Sequence, residues 1–208
     1  TPTLTGLGER SHLLSRDIGL DTHIQDLVSV FEFEDLRDCV LVGHSYGGMV
    51  VSGAMERIAD RVRTVVFLDA LLPYDGESVL DLIGPERAAQ MAALADQGGE
   101  GWFIPPGNPA MYGVTDPDDA AWVERRLTAQ PLKTYQDKIT GTAKAWSHPG
   151  MFVECTPSSI EPFVRERARR RSATDPRFHY RTLDAAHDAM ITSPKAVTEL
   201  LLDALTIA

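Results

Sequence analysis

The stretch that most constrains this chain is the junction at residues 39–48. Four apolar residues, Cys39-Val40-Leu41-Val42, end at Gly43-His44-Ser45-Tyr46-Gly47-Gly48, and helical periodicity follows through Met49, Val50, Ala54 and Ile58. An unbroken apolar run bounded by a turn reads as a strand buried on both faces. Passing from such a strand into a helix within so few residues demands a sharp, strained bend, with a serine at its apex. Side chains two positions to either side would collide with that bend, and Gly43 and Gly47 are expected to remove them. The bend lifts the Ser45 hydroxyl above the sheet edge. The backbone N–H of Tyr46, at the start of the helix, would then face an oxygen that becomes negative beside it. Ser45 is the candidate nucleophile and Tyr46 N–H the candidate oxyanion donor; the rival reading is a tight turn whose serine only caps the helix.

The rest of the chain repeats the alternation. Leu20, Ile24, Leu27, Val28 and Phe31 recur at helical spacing behind a cap at Asp21, and Thr64–Leu68 is a second buried-strand run. Met151–Cys155 and Phe178–Leu183 are strand-like, with a helix at Ile160–Arg171 between them. A last helix starts with Ser193 as cap and Pro194 in its first turn and runs to Leu205. This order predicts an α/β fold, a mainly parallel sheet with helices on both faces. Between Pro73 and Gly150 the texture changes: eight of the 13 prolines and all three tryptophans fall there, with helical stretches at Val79–Gln97 and Pro117–Ala129. Residues 1–72 and 151–208 are therefore expected to form the core, and 73–150 an inserted helical cap.

A serine nucleophile needs a base, and six histidines compete. His187 lies between the last strand-like run and the last helix. In a parallel sheet all strand-to-helix loops gather at one edge, so His187 and Ser45 should share it. His44 is expected to point away around the bend, and His12, His23, His148 and His179 read as structural or solvated. The acid that orients the imidazole has two candidates. Asp69 directly follows Thr64–Leu68, and Glu161 follows Met151–Cys155; both satisfy the order serine, acid, histidine, and Asp69 is favoured. Asp184, three residues before His187, reads as a turn residue. In the insertion, Trp102, Phe103, Met111, Tyr112 and Trp146, with Met190 beyond it, are candidate pocket residues for an apolar or aromatic ligand.

Composition narrows the function. Twenty Lys plus Arg against 30 Asp plus Glu leave a net charge of −10, which repels phosphate backbones and argues against a nucleic-acid partner. The apolar runs fall far short of the roughly 18 residues of a membrane helix, so no membrane partner is expected. Two cysteines, Cys39 and Cys155, in apolar segments point to free thiols in a reducing compartment, hence a cytoplasmic protein. No spacing of His, Cys or carboxylates suggests a metal site. Gly6-Leu7-Gly8 lacks the preceding strand and third glycine of a dinucleotide loop, and Arg165–Arg171 reads as a solvated helix face.

The combination of Thr3–His12, Gly43–Gly48, Val66-Phe67-Leu68-Asp69-Ala70, Gln130-Pro131-Leu132 and His187-Asp188-Ala189-Met190 resembles the α/β-hydrolase superfamily. Within it, the match is to the hydroxynitrile lyase and plant methylesterase-like branch with its bacterial esterase relatives. The resemblance implies a serine carboxylesterase acting through Ser45 and His187 on a small-molecule ester, without metal or organic cofactor, and homodimers. A lyase using the same pair, or a non-catalytic ligand-binding homologue, are the alternatives. Three departures stand out. The branch's usual acid position is Ser159 here, which points to an acid shifted to Asp69. The lysine that lyases of the branch carry after the histidine is Asp188, which would repel cyanide. The strand and His-Gly loop that relatives place about thirty residues upstream of Thr3–His12, source of the second oxyanion N–H, have no counterpart, so these 208 residues alone are expected to be poorly stable and weakly active.

Overall fold

In the computed structural model, which describes residues 1–207, the four strand-like runs pair as one parallel sheet. In chain order the strands are β1 (Cys39–His44), β2 (Val62–Leu68), β3 (Phe103–Ile104), β4 (Gln130–Pro131), β5 (Gly150–Cys155) and β6 (Phe178–Leu183). The main sheet runs β1-β2-β5-β6, while β3 and β4 form a separate antiparallel pair. The expected α/β architecture is the observed one.

Helix α1 (Leu20–Phe33) precedes β1, and α2 (Gly47–Ile58) connects β1 to β2. The segment between β2 and β5 carries α3 (Val79–Leu82), α4 (Pro85–Gly98), α5 (Pro117–Glu124), α6 (Lys133–Gln136) and α7 (Ala143–Ser147) around the β3–β4 pair. Then come α8 (Pro162–Thr174), α9 (Ala189–Thr192) and α10 (Pro194–Ala204). Strand residues alternate between two cores, as a pleated sheet covered on both faces requires. Val65, Phe67 and Phe152 pack with α1, α2 and α8; Val66, Leu68, Met151 and Val153 pack with Val197 and Ala204 of α10.

Local readings needed correction where a turn or a distant partner intervened. The helical stretch predicted over Val79–Gln97 is broken, because Gly84 sits at φ 78° and Pro85 then opens a new helix. The stretch at Pro117–Ala129 stops as a helix at Glu124. Asp21 does not cap α1; Gly19 is the N-cap, and Asp137 accepts the Leu20 N–H at 3.0 Å from across the molecule. Ser193 does hold the N-cap position of α10, though its side chain makes no capping bond.

The parallel arrangement decides the function-bearing geometry. Ser45 follows β1, Asp69 follows β2, the Thr156–Glu161 segment follows β5, and His187 lies in the loop after β6. All four leave the carboxyl end of the sheet.

Candidate active site

Ser45 adopts φ 52° between β1 and α2, a left-handed conformation costly for a side chain other than glycine. The glycines around it divide their work differently from the expected scheme. A Cβ on Gly43 would come within 2.9 Å of the Gly47 carbonyl oxygen, but one on Gly47 would meet nothing within 4 Å. The tight position is Gly48, where a Cβ would lie 1.9 Å from the Leu71 carbonyl oxygen. The chain leaving β2 thus runs against the start of α2, and the Leu71 N–H donates to the Ser45 carbonyl at 3.0 Å. The same approach brings Asp69 near the bend.

Asp69 is fully buried and also has a positive φ, 39°. Its carboxylate collects four donors. His187 Nδ1 stands 2.6 Å from Oδ2, and Ser159 N–H donates to the same oxygen at 3.3 Å. Ser158 Oγ donates to Oδ1 at 2.6 Å, with Cys155 N–H at 3.4 Å. Burial alone would raise the Asp69 pKa, but the bonds from His187 and Ser158 outweigh it and hold the group below its ordinary value. An ionised Asp69 makes Nδ1 of His187 the protonated nitrogen, which leaves Nε2 to accept a proton. Ser159, at the position where the branch's acid was expected, and its neighbour Ser158 act here as donors to Asp69.

Glu161 makes no hydrogen bond to His187 among the described residues. Its carboxylate lies against Gly84, and the residue helps to line the cavity wall. Asp184 is exposed and stands outside the pair. His44 does not point clear of the site: its ring centroid is 4.5 Å from that of His187, and its Nε2 donates to the His187 carbonyl at 3.0 Å. Burial, then the adjacent His187, push the His44 pKa down to about 4. His44 is thus a neutral support for the histidine loop, which neighbouring sequence could not reveal. Ligand atoms of His44, His187 and Asp188 lie within 4.8 Å of one another. The His44 nitrogen nearest Asp188 already carries the proton it donates, so it offers no lone pair to a cation.

A cavity of about 140 Å³ opens between Ser45 and His187, walled by Tyr46, Leu71, Met111, Tyr112 and Tyr135 among others. Met111 and Tyr112 are therefore where a pocket needs them. They also line a second cavity of about 390 Å³, which reaches from Tyr135 to Ile104 and Pro105. The other candidate pocket residues lie elsewhere. Trp102 packs edge-on against Phe103 at 4.9 Å, with Arg16 over its ring. Trp146 donates its indole N–H to the Pro73 carbonyl at 2.6 Å and stacks on Tyr74. Met190 is partly exposed on α9. For the two tryptophans, better partners (a cation, a buried carbonyl) explain the placement.

Among the described residues, no helix is long and apolar enough to cross a membrane, and both cysteines are free. Burial lifts the Cys155 thiol to about 12, so it is not a competing nucleophile.

Comparison with known proteins agrees with this fold. The carbendazim hydrolyzing esterase of Nocardioides sp. (strain SG-4G) is 41% identical over 146 residues, which cover 65% of this chain and 59% of that protein. Putative methylesterase 14 of Arabidopsis thaliana is 23% identical over 219 residues, covering 98% of this chain and 62% of that protein. The matches thus span about three fifths of the length of these two relatives. In three dimensions, an extracellular α/β-hydrolase from a Paenibacillus species, described as sharing structural and functional homology with tobacco salicylic acid binding protein 2, aligns with a TM-score of 0.82. It is 23% identical and covers 98% of this chain and 86% of its own. The model of the alpha/beta hydrolase family matches residues 1–200. With the parallel sheet and the serine bend in place, that match settles the matter: the chain belongs to the alpha/beta hydrolase family.

Proposed function

We propose that this chain is a serine carboxylesterase whose catalytic groups are Ser45, His187 and Asp69. The observation that carries the reading is the His187–Asp69 bond at 2.6 Å, with Ser45 and His187 on the wall of one cavity. Ser45 Oγ attacks the ester carbonyl while His187 Nε2 takes its proton. The imidazolium, paired with Asp69, then protonates the leaving alcohol, and the neutral imidazole activates water to release the acyl group. The Tyr46 N–H, for which the described residues offer no acceptor, receives the negative oxygen of both tetrahedral intermediates.

The walls favour a compact ester with an apolar or aromatic part. The methylesterase and carbendazim hydrolyzing esterase names of the relatives make methyl esters and carbendazim the first substrates to try. Residues 73–150 are read as the cap that closes this cavity, through Met111, Tyr112 and Tyr135. Free cysteines, one of them buried, are consistent with a cytoplasmic setting. Ser45→Ala should abolish hydrolysis of p-nitrophenyl acetate and labelling by a fluorophosphonate probe. Turnover or labelling that survives the substitution would remove the mechanism.

A further inference from the structure

Tyr46 does two things at once. Its main-chain N–H is the oxyanion donor of the proposed reaction, while its side chain reaches into the protein and meets His23. The Tyr46 hydroxyl lies 2.9 Å from His23 Nδ1, and His23 Nε2 lies 2.9 Å from the Thr5 carbonyl oxygen. A carbonyl can only accept, so Nε2 carries the proton, Nδ1 accepts, and the tyrosine O–H donates. His23 is completely buried, and burial lowers its pKa, which keeps it in this neutral form. Thr5 is held in turn: its N–H and Oγ1 donate to Asp26 at 2.7 and 2.8 Å, and Arg10 joins Asp26 to the Thr3 carbonyl. The Thr3–Arg10 stretch, which the reaction chemistry leaves unused, is the seat of this chain of bonds.

From this geometry we infer that His23 is a positioning residue that fixes the aim of the Tyr46 N–H through the Tyr46 hydroxyl; the inference rests on the esterase reading. The peptide between Ser45 and Tyr46 follows a strained φ of 52° and needs outside support. The Ser45 carbonyl accepts from Leu71 and Gly48 N–H at 3.0 and 3.1 Å. The Tyr46 ring lies parallel to Tyr135 at 5.9 Å, a face contact that permits sliding. The bond to His23 is a directional contact at its far end, where the Thr134 side chain also approaches the hydroxyl. Without it the ring shifts and the peptide tilts, and displacements of about 1 Å in such a site cost up to roughly a hundredfold.

Tyr46→Phe removes one hydroxyl and keeps the ring. On p-nitrophenyl acetate, kcat should fall about 10- to 100-fold with KM changed less than about threefold. Affinity for an aryl trifluoromethyl ketone, which forms an oxyanion with Ser45, should fall by the same factor as kcat/KM, while affinity for the matching methyl ketone stays put. His23→Gln should lose a similar factor, and the double variant no more than the worse single one. Unchanged kcat, a loss carried by KM, or an unchanged trifluoromethyl ketone affinity would overturn the inference, even if thermal stability falls. Fluorophosphonate labelling of the parent separates the two levels. An unreactive parent sinks the esterase reading and this inference with it; a reactive parent with an unaffected Tyr46→Phe variant sinks the inference alone.

Discussion

Replacing Asp69 by Asn tests the site's electrostatics with almost no change of shape. The amide must place its NH2 on one side of the former carboxylate. On the Oδ2 side it would face two donors, His187 Nδ1–H and Ser159 N–H. On the Oδ1 side it would face Ser158 Oγ, which can rotate to accept, and Cys155 N–H, whose bond is already long at 3.4 Å. The second placement wins, at a cost of about 1 kcal/mol for the weakened bond. The fold should survive, and His187 should keep its Nδ1 proton. What disappears is the charge. An imidazolium and a carboxylate with charge centres about 4 Å apart attract by about 4 kcal/mol at an effective dielectric of about 20. That corresponds to a loss of about 10³ in kcat. It is milder than the roughly 10⁴ seen where such a substitution traps the wrong tautomer. Hydrolysis of p-nitrophenyl acetate by Asp69→Asn and Glu161→Gln, side by side, reads the result, with Glu161→Gln expected within about threefold of the parent. An Asp69→Asn variant within tenfold of the parent, or a larger loss at Glu161, would refute the reasoning.

Two further outcomes follow from the packing and the titration of the site. His44 has a folded pKa near 4 against 6.5 in the unfolded chain, so between these values the unfolded state binds more protons. Its contribution is complete above pH 6.5 and is lost as pH falls toward 4. By pH 4.5 the loss amounts to at most about 2–3 kcal/mol, an upper bound because the side chain is a quarter exposed. Urea unfolding at pH 7 and pH 4.5 should show a smaller acid loss in His44→Gln than in the parent; equal losses would contradict it. Gly48→Ala places a methyl 1.9 Å from the Leu71 carbonyl oxygen, where backbone must yield. It should cost about 3 kcal/mol or more and lower the melting temperature by several degrees, whereas Gly47→Ala, with open space at that position, should stay close to the parent.

The local elements were legible because their causes are local. Apolar runs such as Val65–Leu68 and helical periodicity such as Met49–Ile58 announce themselves within a few residues, and a glycine-flanked serine between strand and helix has few other conformations open to it. Parallel topology then followed, and with it the placement of Ser45, His187 and Asp69 at one sheet edge. What depends on contact between distant segments was not legible. Asp69 and Glu161 are equivalent in chain order; β2 pairing beside β5 brings Asp69 against Ser158, Ser159 and His187 and leaves Glu161 on the cavity wall. Gly48 matters more than Gly47 because Leu71, far along the chain, passes over it. His23 looked like any helical histidine until Thr5 and Tyr46 closed around it from either side. Period and propensity belong to the chain, whereas hydrogen-bond partners and close approaches exist only once distant segments share a volume.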